Sequence, residues 1–241
     1  MLEAAFWGFF GASSLIIGGV LSFLYDFPRR TVGLILAFGA GVLLSAVAYE
    51  LVLEALEDSG EATVAIGLLV GALTFFVGDE LINQRGGGAR KDMSGEVEGE
   101  PMSIVLGTLL DGIPESFILG LAFVSGDEVS VAYITAVFIS NLPEALGASV
   151  GLRARGWSEQ SILGLWSGIA TLSALSAAIG YLVFSEISSS NGAFVLAFAG
   201  GGVLAMLTNT MIPQAYREGG KLVALATVLG FTLSVLMTSL E

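Results

Sequence analysis

The 241 residues include no cysteine and no histidine. The first absence excludes disulfides, thiolate metal sites and cysteine nucleophiles. The second removes imidazole as base and as ligand, so neither a zinc protease built on H-E-x-x-H nor a hydrolase with a Ser/His pair is open to this chain. An aspartyl dyad would need two aspartates at one depth, and Asp79 and Asp111 fall at different depths of their segments. No enzyme is therefore expected. Lysine is nearly missing too, with Lys91 and Lys221 alone. Charged residues make up 13% of the chain against 54% hydrophobic, and the mean hydropathy is +0.85. That is too apolar for a soluble domain of this length. The net charge is −13, and no nucleic-acid partner is expected. No basic stretch precedes the first apolar run, so that run is expected to remain as a helix rather than leave as a signal peptide.

What is present is a series of apolar runs of about 20 residues, each enough to cross roughly 30 Å of hydrocarbon. Eight spans are expected, at 4–25, 31–54, 62–82, 102–124, 130–152, 159–184, 192–213 and 219–239. The expected fold is one all-α, polytopic transmembrane domain whose partner is the lipid bilayer. The longest connection, 83–101, runs from Asn83 through Gly86-Gly87-Gly88 to Pro101 and reads as a flexible loop. The last connection, Arg217 to Gly220, is short.

Charge placement predicts the orientation. Arg29 and Arg30 lie between spans 1 and 2, and Arg85, Arg90 and Lys91 between 3 and 4. Arg153 and Arg155 lie between 5 and 6, and Arg217 and Lys221 between 7 and 8. These are all nine basic residues, and every one falls on the same side. The opposite loops carry acids: Glu57, Asp58, Glu61, Asp127, Glu128 and Glu186. The positive-inside rule then puts the basic loops in the cytoplasm and both termini outside the cell membrane.

An internal repeat is visible. L-A-F-G-A-G-V-L-L-S-A starts at Leu36 in span 2, and L-A-F-A-G-G-G-V-L-A-M starts at Leu196 in span 7. The offset of 160 also pairs Gly41 with Gly201, Leu44 with Leu204 and Ala55 with Ala215. With eight spans, span 2 runs outward and span 7 inward, and spans 4 and 5 are opposed in the same way. Opposed copies of one segment are the pattern of inverted-repeat transporters, whose site lies at the midplane.

Spans 4 and 5 hold the unusual chemistry. Span 4 contains L-L-D-G-I-P-E-S and span 5 contains I-S-N-L-P-E-A-L. A charge at bilayer depth costs roughly 2.5–3.5 kcal/mol on insertion scales, so Asp111, Glu115 and Glu144 call for partners or a function. Asp111 and Glu115 are four apart and share a helix face, as do Ser140 and Glu144, with Asn141 three before Glu144. Pro114 and Pro143 should kink their helices and free the carbonyls of Leu110 and Ile139. If the two faces meet, they enclose three carboxylates, an amide, a hydroxyl and bare carbonyls. Clustered carboxylates repel, and a divalent cation resolves that repulsion. Oxygen donors suit Mg²⁺, Mn²⁺ or Zn²⁺, with zinc less favoured than usual.

These two motifs, D-G-I-P-E-S at 111–116 and S-N-L-P-E-A at 140–145, are where the chain resembles the ZIP (Zrt/Irt-like) divalent-metal transporters, mostly their bacterial and archaeal branch. Family members carry H-N-x-P-E-G in the fourth helix and H/Q-N/D-x-P-E-G in the fifth. Glu115, Glu144, Asn141 and both prolines match; Asp111 and Ser140 stand where histidine, or in the fifth helix glutamine, is usual, and Gly112 replaces an asparagine ligand. The resemblance implies one metal site at Asp111, Glu115 and Glu144 with Asn141 and Ser140 secondary. It also implies a divalent metal ion as substrate rather than cofactor, movement into the cytoplasm by alternating access, and a homodimer.

Other polar residues suggest a path. Glu50 and Glu54, near the outer end of span 2, could receive cations; Asp79 and Glu80 near the inner end of span 3, with Asn209 and Gln214 near that of span 7, could pass them on. For Glu54 and Glu80 a solvated interfacial charge explains the residue equally well. A different use of the same fold also stays open: a proton-coupled carrier of another solute, or a homologue that no longer transports.

Overall fold

The computed structural model describes residues 1–84, 101–122, 131–185 and 189–238. Among them there is no strand. In chain order come α1 (Leu2–Leu24), α2 (Arg29–Ala46), α3 (Glu54–Asp58), α4 (Glu61–Gln84), α5 (Pro101–Ala122), α6 (Val131–Ala154), α7 (Glu159–Ser185), α8 (Ser189–Met206), α9 (Ile212–Gly219) and α10 (Val223–Thr238). π-helical segments join α2 to α3 (Val47–Leu53) and α8 to α9 (Leu207–Met211), and a 3₁₀ turn (Gly220–Leu222) joins α9 to α10.

Five stretches of the described chain are long and apolar enough to cross a membrane: Leu2–Leu24, Arg29–Asp58, Glu61–Gln84, Glu159–Ser185 and Asn191–Met237. The last is 47 residues, about twice what a bilayer needs. It is interrupted at Gly220, whose φ of 66° and ψ of −151° only glycine adopts cheaply. The expected loop at 217–220 is thus mostly the C-terminal turn of α9. Of the expected 83–101 loop, Asn83 and Gln84 close α4 and Pro101 opens α5; residues 85–100 lie outside the described ones.

The packing is that of a protein with apolar residues on its outside. α4 exposes Ile66, Leu69, Leu73 and Phe76, and α10 exposes Leu225, Val228, Leu229 and Leu236. The interior combines large apolar side chains such as Trp166, Leu43 and Leu152 with many small ones, Ala37, Ala40, Ala197 and Ala215 among them fully buried. Lipid provides no hydrophobic drive between helices, so small residues that allow close backbone approach hold such bundles together.

Glycine sets two closely packed pairs, α2 with α10 and α4 with α8. A Cβ on Gly41 would run into the carbonyl of Thr227, and one on Gly230 into that of Phe38. In the other pair Gly201 meets the carbonyl of Leu68 and Gly71 that of Phe198. Gly41 and Gly201, and likewise Phe38 and Phe198, are 160 positions apart, the offset of the sequence repeat. The two π segments follow the same spacing, Leu207 and Met211 standing 160 after Val47 and Leu51. They are also packed reciprocally: Gly39 on α2 faces Met211, and Gly200 on α8 faces Leu51.

The turn from α6 to α7 follows directly from its sequence, Arg155-Gly156-Trp157-Ser158. Gly156 takes a φ of 84°. Trp157 N–H donates to Leu152 O at 3.1 Å and Gly156 N–H to Arg153 O at 2.9 Å, the Schellman closure of a helix. Trp157 packs on the cluster containing Leu152. Ser158 then caps α7 by accepting the Ser161 N–H at 3.2 Å.

Candidate metal site

The turn of α6 that carries the S-N-L-P-E sequence is pressed between α1 and α2. Gly18 on α1 abuts the carbonyl of Leu142 and the methyl of Ala145; a Cβ on Gly39 of α2 would stand 3.0 Å from Ser140 Cα. Only glycine lets two helices come so near, and the polar turn is enclosed as a result. Ser140 is 2% exposed and Asn141 4%, while Glu144 is half-buried. The Ser140 hydroxyl donates to Val137 O at 3.0 Å, which keeps its oxygen lone pairs for a donor or a cation. Pro143 sits inside α6 without ending it.

α5 carries the other motif. Glu115 is 3% exposed. Asp111 and Pro114 belong to the helix, but their side chains lie outside the described residues. The Ser116 hydroxyl donates to Gly112 O at 2.9 Å, and Ser176 of α7 donates to Ile113 O at 3.0 Å. Gly112 is buried, yet among the described residues a Cβ there would meet nothing within 4 Å beyond its own helix. Gly112 and Glu115 are three apart and share a face, so this open space lies on the side of α5 that bears the carboxylate.

Tyr133, in the first turns of α6, links the two motif helices. It is buried, and its hydroxyl donates to the main-chain carbonyl of Glu115 at 3.4 Å. It also lies within electrostatic reach of the carboxylates of Glu115 and Glu50. Glu50 belongs to the first π segment and is half-buried. A π turn adds a residue to the helical repeat and re-aims the side chains after it, a device common at functional sites.

The remaining predicted residues separate into two groups. Asp79, 1% exposed on α4, accepts hydrogen bonds from Asn83 Nδ2 at 3.0 Å and from Asn209 Nδ2 of the second π segment. Glu80 is exposed and accepts from Gln84 Nε2 at 3.1 Å; Glu54 and Gln214 are half-buried. Among the described residues no three acidic side chains come together, and the expected trio includes Asp111. The polar groups that these stretches of α5 and α6 offer are oxygen donors: carboxylates at Glu115 and Glu144, the amide oxygen of Asn141, and the hydroxyls of Ser140 and Tyr133.

Sequence reasoning misses Tyr133 and both π segments. A tyrosine near the start of an apolar helix is a weak signal, although a buried phenol does require a partner. Nothing in A-Y-E-L-V or L-T-N-T-M marks a π turn, because packing against the facing helix decides it.

No protein-family model matches the chain. Over 235 residues, 95% of its length, it is 26% identical to a protein of Arabidopsis thaliana that bears the name "Putative zinc transporter". The chain spans 38% of that relative's length.

Proposed function

We propose that this chain is a membrane carrier of a divalent metal cation of the ZIP type. Its site is built from Glu115, Glu144 and Asp111, supported by Asn141 and Ser140. The observation that carries the reading is Glu115, 3% exposed in the middle of a membrane-length helix, with Ser140 and Asn141 equally enclosed on α6. An ionised carboxylate at that depth costs several kcal/mol unless hydrogen-bond donors, a cation or a proton compensate it, and a cation does so most completely. The plant relative supports metal as the cargo by its name.

The halves of the chain form an inverted repeat in this reading. The shared offset of the π segments and of the glycine contacts supports it. Eight helices then cross the membrane with both termini outside, Glu50 receives the ion from the outer side, and Asp79 with Asn209 lies along its way to the cytoplasm. Two such chains associate as a homodimer.

Divalent-metal uptake into proteoliposomes tests the assignment. Glu115→Gln and Glu144→Gln should each reduce uptake to near the protein-free level. Native uptake in both variants would defeat it.

A further inference from the structure

We infer that this site selects a hard divalent cation that keeps part of its water shell: Mn²⁺ and Mg²⁺ are substrates, and Zn²⁺ holds no more than about a tenfold advantage over Mn²⁺. The inference rests on the transport reading above and specifies the cargo of the same site.

The first support is the donor chemistry. The 241 residues hold no imidazole and no thiolate. At every step through this chain an ion meets oxygens, the only softer donors being the thioethers of six methionines. Zinc sites draw on nitrogen and thiolate sulfur, typically four-coordinate. Hard cations take oxygens, and Mg²⁺ binds through one or two carboxylates while keeping several waters. Zn²⁺ stands above Mn²⁺ at almost any single site in the Irving–Williams order, so the inference concerns the margin, which nitrogen and sulfur widen.

The second support is space. Gly112 is buried, and among the described residues a Cβ there would meet nothing within 4 Å beyond its own helix. A dry void of that kind costs packing energy, whereas a water needs room and two to four polar partners. Partners are at hand on this stretch of α5. Glu115 shares the face, and the hydroxyls of Ser116 and Ser176, each donating to a carbonyl of this turn, keep lone pairs with which to accept. An ion at Glu115 can therefore complete its shell with water on the Gly112 side, as an octahedral cation requires and a four-coordinate one does not.

The experiment is competition for radiolabelled Mn²⁺ uptake in proteoliposomes by unlabelled Mn²⁺, Mg²⁺ and Zn²⁺. Mn²⁺ should enter, Mg²⁺ should compete, and half-inhibition by Zn²⁺ should fall within about tenfold of that by Mn²⁺. Gly112→His places a nitrogen donor in the open space and should widen the zinc advantage at least about tenfold, whereas Gly112→Ala should not. Water-proton relaxation on Mn²⁺ bound to the native protein should detect exchangeable water on the ion, a readout independent of any variant. A zinc advantage beyond about tenfold, or bound Mn²⁺ without exchangeable water, overturns the inference while leaving the carrier reading intact. No uptake of any divalent ion overturns the carrier reading itself.

Discussion

The side-chain amide of Asn209 donates to the carboxylate of Asp79, joining residues 130 positions apart and tying the second π segment to α4. Asp79 is almost completely buried, so each donor to its carboxylate offsets part of the cost of keeping it from water. Asn209→Ala removes one such donor and leaves that of Asn83 in place. The expected loss is about 1–2 kcal/mol, seen as a lower Tm of the purified protein in detergent. An unchanged Tm would mean that this bond adds nothing to the fold.

The glycine crossings should be intolerant of any side chain. A Cβ on Gly71 or Gly201 would run into backbone carbonyls of the facing helix, which cannot move aside as a side chain can. Gly71→Ala and Gly201→Ala are each expected to cost about 1–3 kcal/mol. Gly164 is the control. It lies on α7 in open surroundings, where an added methyl would meet nothing within 4 Å, so Gly164→Ala should be neutral or stabilise by up to about 1 kcal/mol. Thermal unfolding of the three variants checks the contrast, and equal effects at all three sites would contradict it.

Trp166, completely buried on α7, donates its indole N–H to Ser149 Oγ on α6 at 2.9 Å. Ser149→Ala leaves that donor buried without this acceptor and should cost about 1–3 kcal/mol. Ser149→Thr keeps the oxygen but must fit one more methyl into a fully buried position, so it should recover part of the loss. Denaturation followed by tryptophan fluorescence reads both variants.

Ser176 should matter beyond its size, because its hydroxyl joins α7 to the Ile113 carbonyl, one residue before Pro114. Ser176→Ala removes the bond with little change in volume. The expected result is a loss of about 0.6–1.7 kcal/mol in stability, the range for interhelical bonds in membranes, together with weaker divalent-ion affinity. Calorimetric titration with Mn²⁺ checks the second part, and native affinity would separate Ser176 from the site.

Much of this architecture is legible in the sequence for physical reasons. Helices in a bilayer must satisfy their backbone internally and face lipid with apolar residues, so apolar runs give the elements to within a few residues. The expected spans 4–25 and 159–184 correspond to Leu2–Leu24 and Glu159–Ser185. Span 2 is harder. Its expected end at 54 overlooks the last turn, Glu54–Asp58, because acidic residues at a membrane boundary read as loop although the helix continues through them. The repeat around Leu36 and Leu196 is readable because close crossings demand glycine at fixed positions. The π segments within it are not, since Gly200 against Leu51 and Gly39 against Met211 are contacts between distant parts of the chain. Arg153 shows both sides of this. As a charge it fits the expected cytoplasmic row, yet its guanidinium also donates to Ser22 O at 2.8 Å and lies 5.5 Å from the Phe23 ring centre, partners that charge counting cannot reveal. Tyr133 beside Glu115 is a contact of the same distant kind.

The most direct test of the central claim is an anomalous-scattering map from crystals of the protein soaked in Mn²⁺. The account predicts a peak between α5 and α6, within coordination distance of Glu115 and Glu144 oxygens, that disappears in Glu115→Gln. Peaks confined to the acidic surface turns at Glu57, Asp58 and Glu61, with none between the motif helices, would contradict it.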